Sequence, residues 1–228
     1  YPVHVFLSRE GYFKKITPQS LRMSSEHKLK QGDELCMSLE STNNTELLVF
    51  TNLHQVYKAR LSDFEDSKAS VLGDYLPAKL GMEEGESVVS IALTKDYSGY
   101  MLFVFRGGRI AKVPLSSYQT KTRRKKLMNA YCSKFELCKM LALAEDTEIL
   151  LTLSNGRVLA FSTVQLVPKL AKDTQGLVVA SLKGKAVVSD AQPFDETLYK
   201  NAERIRAKFL PSAGVIPKEA QDIQLKLE

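Results

Sequence analysis

Cysteine is scarce in this sequence: Cys36, Cys132 and Cys138 are the three in 228 residues. An odd count without paired spacing excludes a secreted disulfide framework and reads as reduced, mostly packed thiols. Histidine is equally scarce. His4, His27 and His54 are scattered and no C-x2-C pair accompanies them, so no metal site is expected. No apolar run approaches the roughly 18 residues of a membrane span. A charged and then apolar leader is missing at Tyr1, as is an initiating methionine, so no signal peptide is expected and the chain reads as a fragment of a longer protein. A phosphate-binding G-x-x-x-x-G-K-[ST] loop is also absent, and the glycine pairs present lead into strands rather than helices.

What is present is a repeat. Four segments share an apolar β-rich run, a tight polar turn and a second strand carrying a basic residue: VFLSREGYFKKITPQSL from Val5, LVFTNLHQVYKARLSDF from Leu48, LFVFRGGRIAKVPLSSY from Leu102, and LLTLSNGRVLAFSTVQL from Leu150. Aligned on the turn, the equivalent residues are Gly11, His54, Gly108 and Gly156, spaced by 43, 54 and 48 residues. A period near 50 suits propeller-like blades of about four strands each. Asn155-Gly156 and Gly107-Gly108 supply the left-handed positions of β-hairpins. A second β-rich stretch is expected after each hairpin, at Glu34 to Leu39, Ser87 to Leu93, Leu137 to Leu143 and Leu177 to Leu182. One small sheet cannot bury both faces alone, so the repeats must stack into an all-β wheel or open arc, with little helix.

From Pro193 onward the repeat lapses. Arg204 to Leu210 alternates basic and apolar residues as a strand would, ended by Pro211, although Leu198, Ala202, Ile205 and Phe209 fall at helical spacing. The expectation is a strand there, a loosely held chain beyond Pro211, and a short helix from Lys218. Residues 1–194 are expected to form one domain, with repeats at about 4–46, 47–99, 100–148 and 149–194, and 195–228 a C-terminal extension.

The repeat phrases carry a further signal. GYFKKITPQSL, QVYKARLSDF and RIAKVPLSSY resemble the blade signature of the C-terminal domains of bacterial type IIA topoisomerase A subunits, those of DNA gyrase and topoisomerase IV. The resemblance covers roughly Val3 to Ser189, and KITPQSLRMSSEHKL is most like the topoisomerase IV type of Firmicutes. It implies a β-pinwheel, a monomer as a fragment, that binds duplex DNA and is itself not catalytic. It also implies a parent enzyme with an A-subunit core, a B subunit, ATP and Mg in the cytoplasm, associated with the nucleoid and not with membrane. No cofactor is expected in the fragment, and no tyrosine has the Arg-Tyr context of the family's nucleophile. Gyrases carry a Q-R-R-G-G-K-G box after one blade; the corresponding PLSSYQTKTRRKKL from Pro114 keeps the cations and lacks every glycine. That departure favours decatenation and relaxation over chiral wrapping and supercoiling.

The formal net charge of +6 acquires meaning from where it sits. Arg106, Arg109, Lys112, Lys121, Arg123, Arg124, Lys125 and Lys126 follow one another without an intervening Asp or Glu, a block suited to neutralising phosphates. Lys15, Lys58 and Lys112 occupy one position of the repeat, where the fourth has Ala160, and Arg109 matches Arg157 just after the turn. A repeated position maps to one rim, so Lys15, Lys58, Arg109, Lys112, Lys121, Arg123, Arg124, Lys125, Lys126 and Arg157 are expected to form a basic DNA-binding rim. Tyr12, Phe13, Tyr57, Phe103 and Phe105 read as core rather than base-stacking residues, whereas Tyr118 beside the basic run reads as a surface tyrosine. Glu83-Glu84 and Asp63/Glu65/Asp66 read as solvated loops, with Glu83, Glu84 and Glu86 placed to repel DNA from the opposite rim.

Overall fold

The computed structural model describes residues 1–218. Along the chain lie β1 (Pro2–Ser8), β2 (Tyr12–Ile16), α1 (Pro18–Met23), β3 (Leu35–Thr42), β4 (Glu46–Thr51), β5 (Val56–Arg60), β6 (Asp66–Ser67), β7 (Asp74–Tyr75), α2 (Leu76–Lys79) and β8 (Val88–Thr94). There follow β9 (Tyr100–Phe105), β10 (Arg109–Pro114), β11 (Lys126–Leu127), β12 (Leu137–Leu143), β13 (Glu148–Leu153), β14 (Val158–Ser162), β15 (Leu177–Val178), β16 (Val188–Pro193) and α3 (Ala202–Ile205). The fold is all-β, of the propeller-like pinwheel class, and built of small antiparallel sheets.

The chain divides into two compact units. The first is Tyr1–Tyr97 with Thr120–Ala130; the second is Ser98–Gln119 with the chain from Tyr131 on. In the first unit one sheet has the order β3-β1-β2-β6, with β7 also on β2, and the other the order β11-β5-β4-β8. Val3, Val5, Leu7 and Phe13 of one sheet meet Leu47, Val49, Tyr57 and Ile91 of the other in a single core. In the second unit the orders are β12-β9-β10-β15 and β14-β13-β16. Leu102, Val104 and Ile110 there pack against Ile149, Leu151, Leu159 and Phe161. A sheet covered on both faces needs continuous rather than alternating apolar strands. LLVF in β4 and MLFVF in β9 are buried throughout.

Each repeat thus supplies a hairpin and a third strand to its own sheet, but not the sheet's far edge. That edge comes from the segment after the following hairpin. Asp66–Ser67 and Asp74–Tyr75, which follow the β4–β5 hairpin, pair with β2. Lys126–Leu127, following β9–β10, pairs with β5. Leu177–Val178, following β13–β14, pairs with β10. Leu177 to Leu182 is therefore not the fourth repeat's second stretch; Val188–Pro193 takes that place beside β13. Gly176 explains the difference, because its left-handed φ of 69° turns the chain onto the Ile110 backbone.

The C-terminal stretch corrects two expectations. Ala202–Ile205 is a helical turn because Asn201 caps it, its side chain accepting from the Arg204 N–H. Only Arg206 keeps strand character, as a single parallel bridge to Ala160. Beyond Pro211 the chain is tied down: Val215 bridges Val158, and Ser212 accepts from the Ser181 N–H at 2.8 Å. This stretch takes the edge position beside β14, packing Ile205 and Val215 on Leu150, Val158 and Ala160. Arg206 fastens it to Glu148 at 2.7 Å, with Glu196 and Glu203 completing the cluster. The helix expected from Lys218 onward lies outside the described residues.

Candidate nucleic-acid interface

The lysines of the repeated position do not form a rim. The Lys15 ammonium is buried, donating to Asn43 Oδ1 at 2.6 Å and the Leu61 carbonyl at 2.9 Å, with Asp66 at 3.3 Å. In the second unit the Lys112 ammonium is buried likewise, against Asp146 Oδ1 at 2.7 Å and the carbonyls of Thr163 and Leu166 at 3.0 and 3.3 Å. The Tyr100 ring lies 4.4 Å from it. A buried charge persists only when paired and hydrogen-bonded, and both lysines meet that condition. Each reaches from its own hairpin to the turn and the 3-10 segment flanking the next hairpin, so it staples one sheet to its neighbour within a unit. Lys58 sits half-buried at the corresponding place and donates to Thr120 Oγ1 at 3.0 Å.

The matched arginines also work inward. Arg109 donates to the Gly176 carbonyl at 3.2 Å and lies over the Phe135 ring, and Arg157 donates to the Gly214 carbonyl at 2.9 Å. Both clasp the incoming edge segment. Arg106 pairs with Glu136 at 3.2 Å. Of the expected rim, this leaves Lys121, Arg123, Arg124, Lys125 and Lys126.

Those five are exposed, and none has an ion-pair partner among the described residues. Their backbone is nonetheless fixed. The Lys125 carbonyl accepts from the Lys58 N–H at 2.8 Å, the Thr122 carbonyl from the Arg124 N–H at 2.8 Å, and Lys126 pairs with Tyr57 in the ladder. Leu127 is buried, and the Ala130 N–H donates to the His54 carbonyl at 2.9 Å. The Lys126 ammonium lies 5.9 Å from the Tyr57 ring centre. A cationic segment with free side chains on an ordered backbone is what phosphate neutralisation requires.

Two further expectations are corrected here. Tyr118 is buried rather than at the surface, and burial pushes its phenol well above the ordinary value. Glu86 is buried too, so it repels nothing from a rim. Its carboxylate accepts from the Tyr57 hydroxyl at 2.6 Å and from Thr51 and the Glu83 N–H. Burial alone would raise the Glu86 carboxyl, but these hydrogen bonds, with Lys126 nearby, hold it below the usual carboxylate range. Of the other acidic residues, Asp66 serves Lys15 and the Tyr1 hydroxyl, and Asp63 accepts from the Arg60 N–H. Among the described residues no group of His, Cys, Asp and Glu is arranged to hold a metal ion, and no helix is long and apolar enough to cross a membrane.

Sequence cues to the buried lysines existed in the polar turns ahead of the next central strand, Asn43-Asn44-Thr45 and Asp146-Thr147, which supply their acceptors. Nothing in strand alternation alone separates such a lysine from an exposed one.

No family model matches the chain. It is similar to the gyrase A protein of Streptomyces coelicolor, 26% identical over 125 residues, covering 51% of this chain and 15% of that protein. It is similar also to the topoisomerase 4 A protein of Staphylococcus aureus, 25% identical over 165 residues, covering 70% and 21%. The chain therefore spans about a fifth or less of the length of these relatives. Among solved structures, a C-terminal domain of DNA topoisomerase IV superimposes with a TM-score of 0.72 at 22% identity, over 87% of this chain and 63% of that one. A DNA gyrase A C-terminal domain gives 0.61 at 15% identity, over 98% and 81%. The chain is thus similar in sequence to the A subunits of gyrase and topoisomerase IV, and has the fold of their C-terminal domains.

Proposed function

We propose that this chain is a non-catalytic domain that holds duplex DNA by its phosphates, through Lys121, Arg123, Arg124, Lys125 and Lys126. The observation that carries this reading is the exposed, unpaired state of those five cations on a fixed backbone. The similarity to DNA topoisomerase A subunits, and the fold shared with their C-terminal domains, supports it. In this reading the parent supplies the A-subunit core, the B subunit, ATP and Mg in the bacterial cytoplasm, and the domain positions a segment for strand passage. The cations form one short segment, the loop leading into β11 and its first residue. That favours a topoisomerase IV-like role in decatenation and relaxation over wrapping of the gyrase kind.

The test uses the 228-residue chain with nicked plasmid, resealed by ligase across a salt series and run beside a gel-retardation assay. Retardation that fades with salt, without a shift in linking number, is the expected result. A linking-number shift moves the assignment to a wrapping domain. Absence of retardation at low salt overturns DNA binding and leaves a propeller-type protein-interaction module.

A further inference from the structure

The basic segment has a difficulty that its exposure does not resolve. Five cations within six residues repel one another, and a loop bearing them spreads unless something holds it. At the two ends of this loop the structure has one residue in common, Lys58. Its backbone N–H donates to the Lys125 carbonyl at 2.8 Å, beside β11. Its ammonium donates to Thr120 Oγ1 at 3.0 Å, where the segment begins. Thr120 passes the tie on, its hydroxyl donating to the Thr122 carbonyl at 2.7 Å, and that same carbonyl accepts from the Arg124 N–H.

We propose that Lys58 is a positioning residue for the DNA-binding segment, clasping Thr120 and Lys125 so that Lys121 to Lys126 present their charges together. The inference rests on the DNA-binding reading above.

The comparison with the other repeats gives the clasp its particular value. Lys15 and Lys112 set their ammonium groups against Asp66 and Asp146. Lys58 has no carboxylate within ion-pair distance among the described residues; its partners are the Thr120 hydroxyl and the face of Tyr97, 5.2 Å from the ring centre. A carboxylate at this place would cancel part of the field of the segment. A hydroxyl as the direct partner holds the backbone without adding a contact carboxylate. Burial presses the Lys58 amine toward its neutral form, and the nearby Glu46 charge opposes that.

The test compares Lys58→Met and Thr120→Val in the 228-residue chain, singly and together, with Thr120→Ser as the conservative control. Amide hydrogen exchange over Thr122 to Lys125 and affinity for a short duplex are read in each. Exchange is expected to rise in both single variants. Affinity should fall about fivefold in each, the size of one lost hydrogen bond, with the double variant no worse than either. Thr120→Ser restores both readings.

A contrary pattern is well defined. If Lys58→Met lowers the slope of log affinity against log salt by about 0.9 while Thr120→Val behaves as wild type, Lys58 is itself a phosphate ligand and the clasp is wrong. If exchange rises in both variants but the unaltered chain retards no DNA at low salt, the clasp stands and the DNA reading has failed.

Discussion

At the residue scale, Lys112 and Asp146 show how a charge becomes part of a core. Asp146 is about one-third exposed while its partner is buried, so the two deletions are unequal. Asp146→Ala leaves the ammonium with two carbonyl oxygens and the Tyr100 ring, and is expected to cost about 2–3 kcal/mol, below the roughly 3–5 of a fully buried pair. Lys112→Met removes the charge together with its need for a partner and should cost less; urea unfolding of the two variants settles the order. Acid provides a second reading. Hydrogen bonds from Lys112 and Thr163 hold the Asp146 carboxyl below its ordinary value. Its contribution is therefore complete above the unfolded pKa of about 3.9 and is lost as pH falls through the lower folded value. Asp146→Ala is expected to flatten the stability-against-pH curve below about pH 4, and an unchanged curve would remove the pair from the account.

At the scale of elements, the edge segments share a device. Gly73, Gly176 and Gly214 all have left-handed φ, at 88°, 69° and 74°. A Cβ on each would stand 2.4, 2.0 and 2.8 Å from the carbonyl oxygen of Phe13, Ile110 and Val158. Those three residues follow their turn glycines, Gly11, Gly108 and Gly156, by the same interval, so one contact recurs in three sheets. Gly176→Ala is expected to destabilise by about 1–3 kcal/mol and to raise amide exchange in β10 and β15. Gly184→Ala, also left-handed at 61° but facing open space, serves as the control and should cost about 1 kcal/mol.

This device also marks where the sequence stopped being legible. The hairpins could be read because Gly-Gly-Arg and Asn-Gly-Arg sit between apolar runs long enough to show a pattern. Strands of two residues, such as Lys126–Leu127 and Leu177–Val178, have no periodicity at all. Their pairing is decided by a partner far away in the chain, so Leu177 to Leu182 looked like a long strand of its own repeat. The lysine position misled for a related reason. Its recurrence was visible, but its acceptors lie in the next repeat, and recurrence serves a staple as well as a rim.

At the scale of the whole molecule, the number of cations assigned to the DNA sets the expected salt dependence. Five phosphate contacts give a slope of log affinity against log salt of about −4.5, whereas a rim of ten cations would give about −9. Titration of a duplex between 50 and 200 mM salt separates the two by orders of magnitude in affinity. Reversing Arg123, Arg124, Lys125 and Lys126 together should abolish retardation, while Arg157→Ala should affect stability and leave DNA affinity nearly unchanged. A loss of affinity in Arg157→Ala would restore that arginine to the interface.

The borrowed edge strand has a consequence for how such a chain lengthens or shortens. Excising one visible repeat does not remove one sheet: it takes away the edge of the sheet before it and orphans the edge meant for its own. A tandem duplication is tolerated only if its breakpoints fall between corresponding points of two hairpins, so that every acceptor gained comes with a donor. The heritable module is therefore offset from the folded one, and a protein engineer splicing such domains must cut inside a sheet in order to keep the sheets whole.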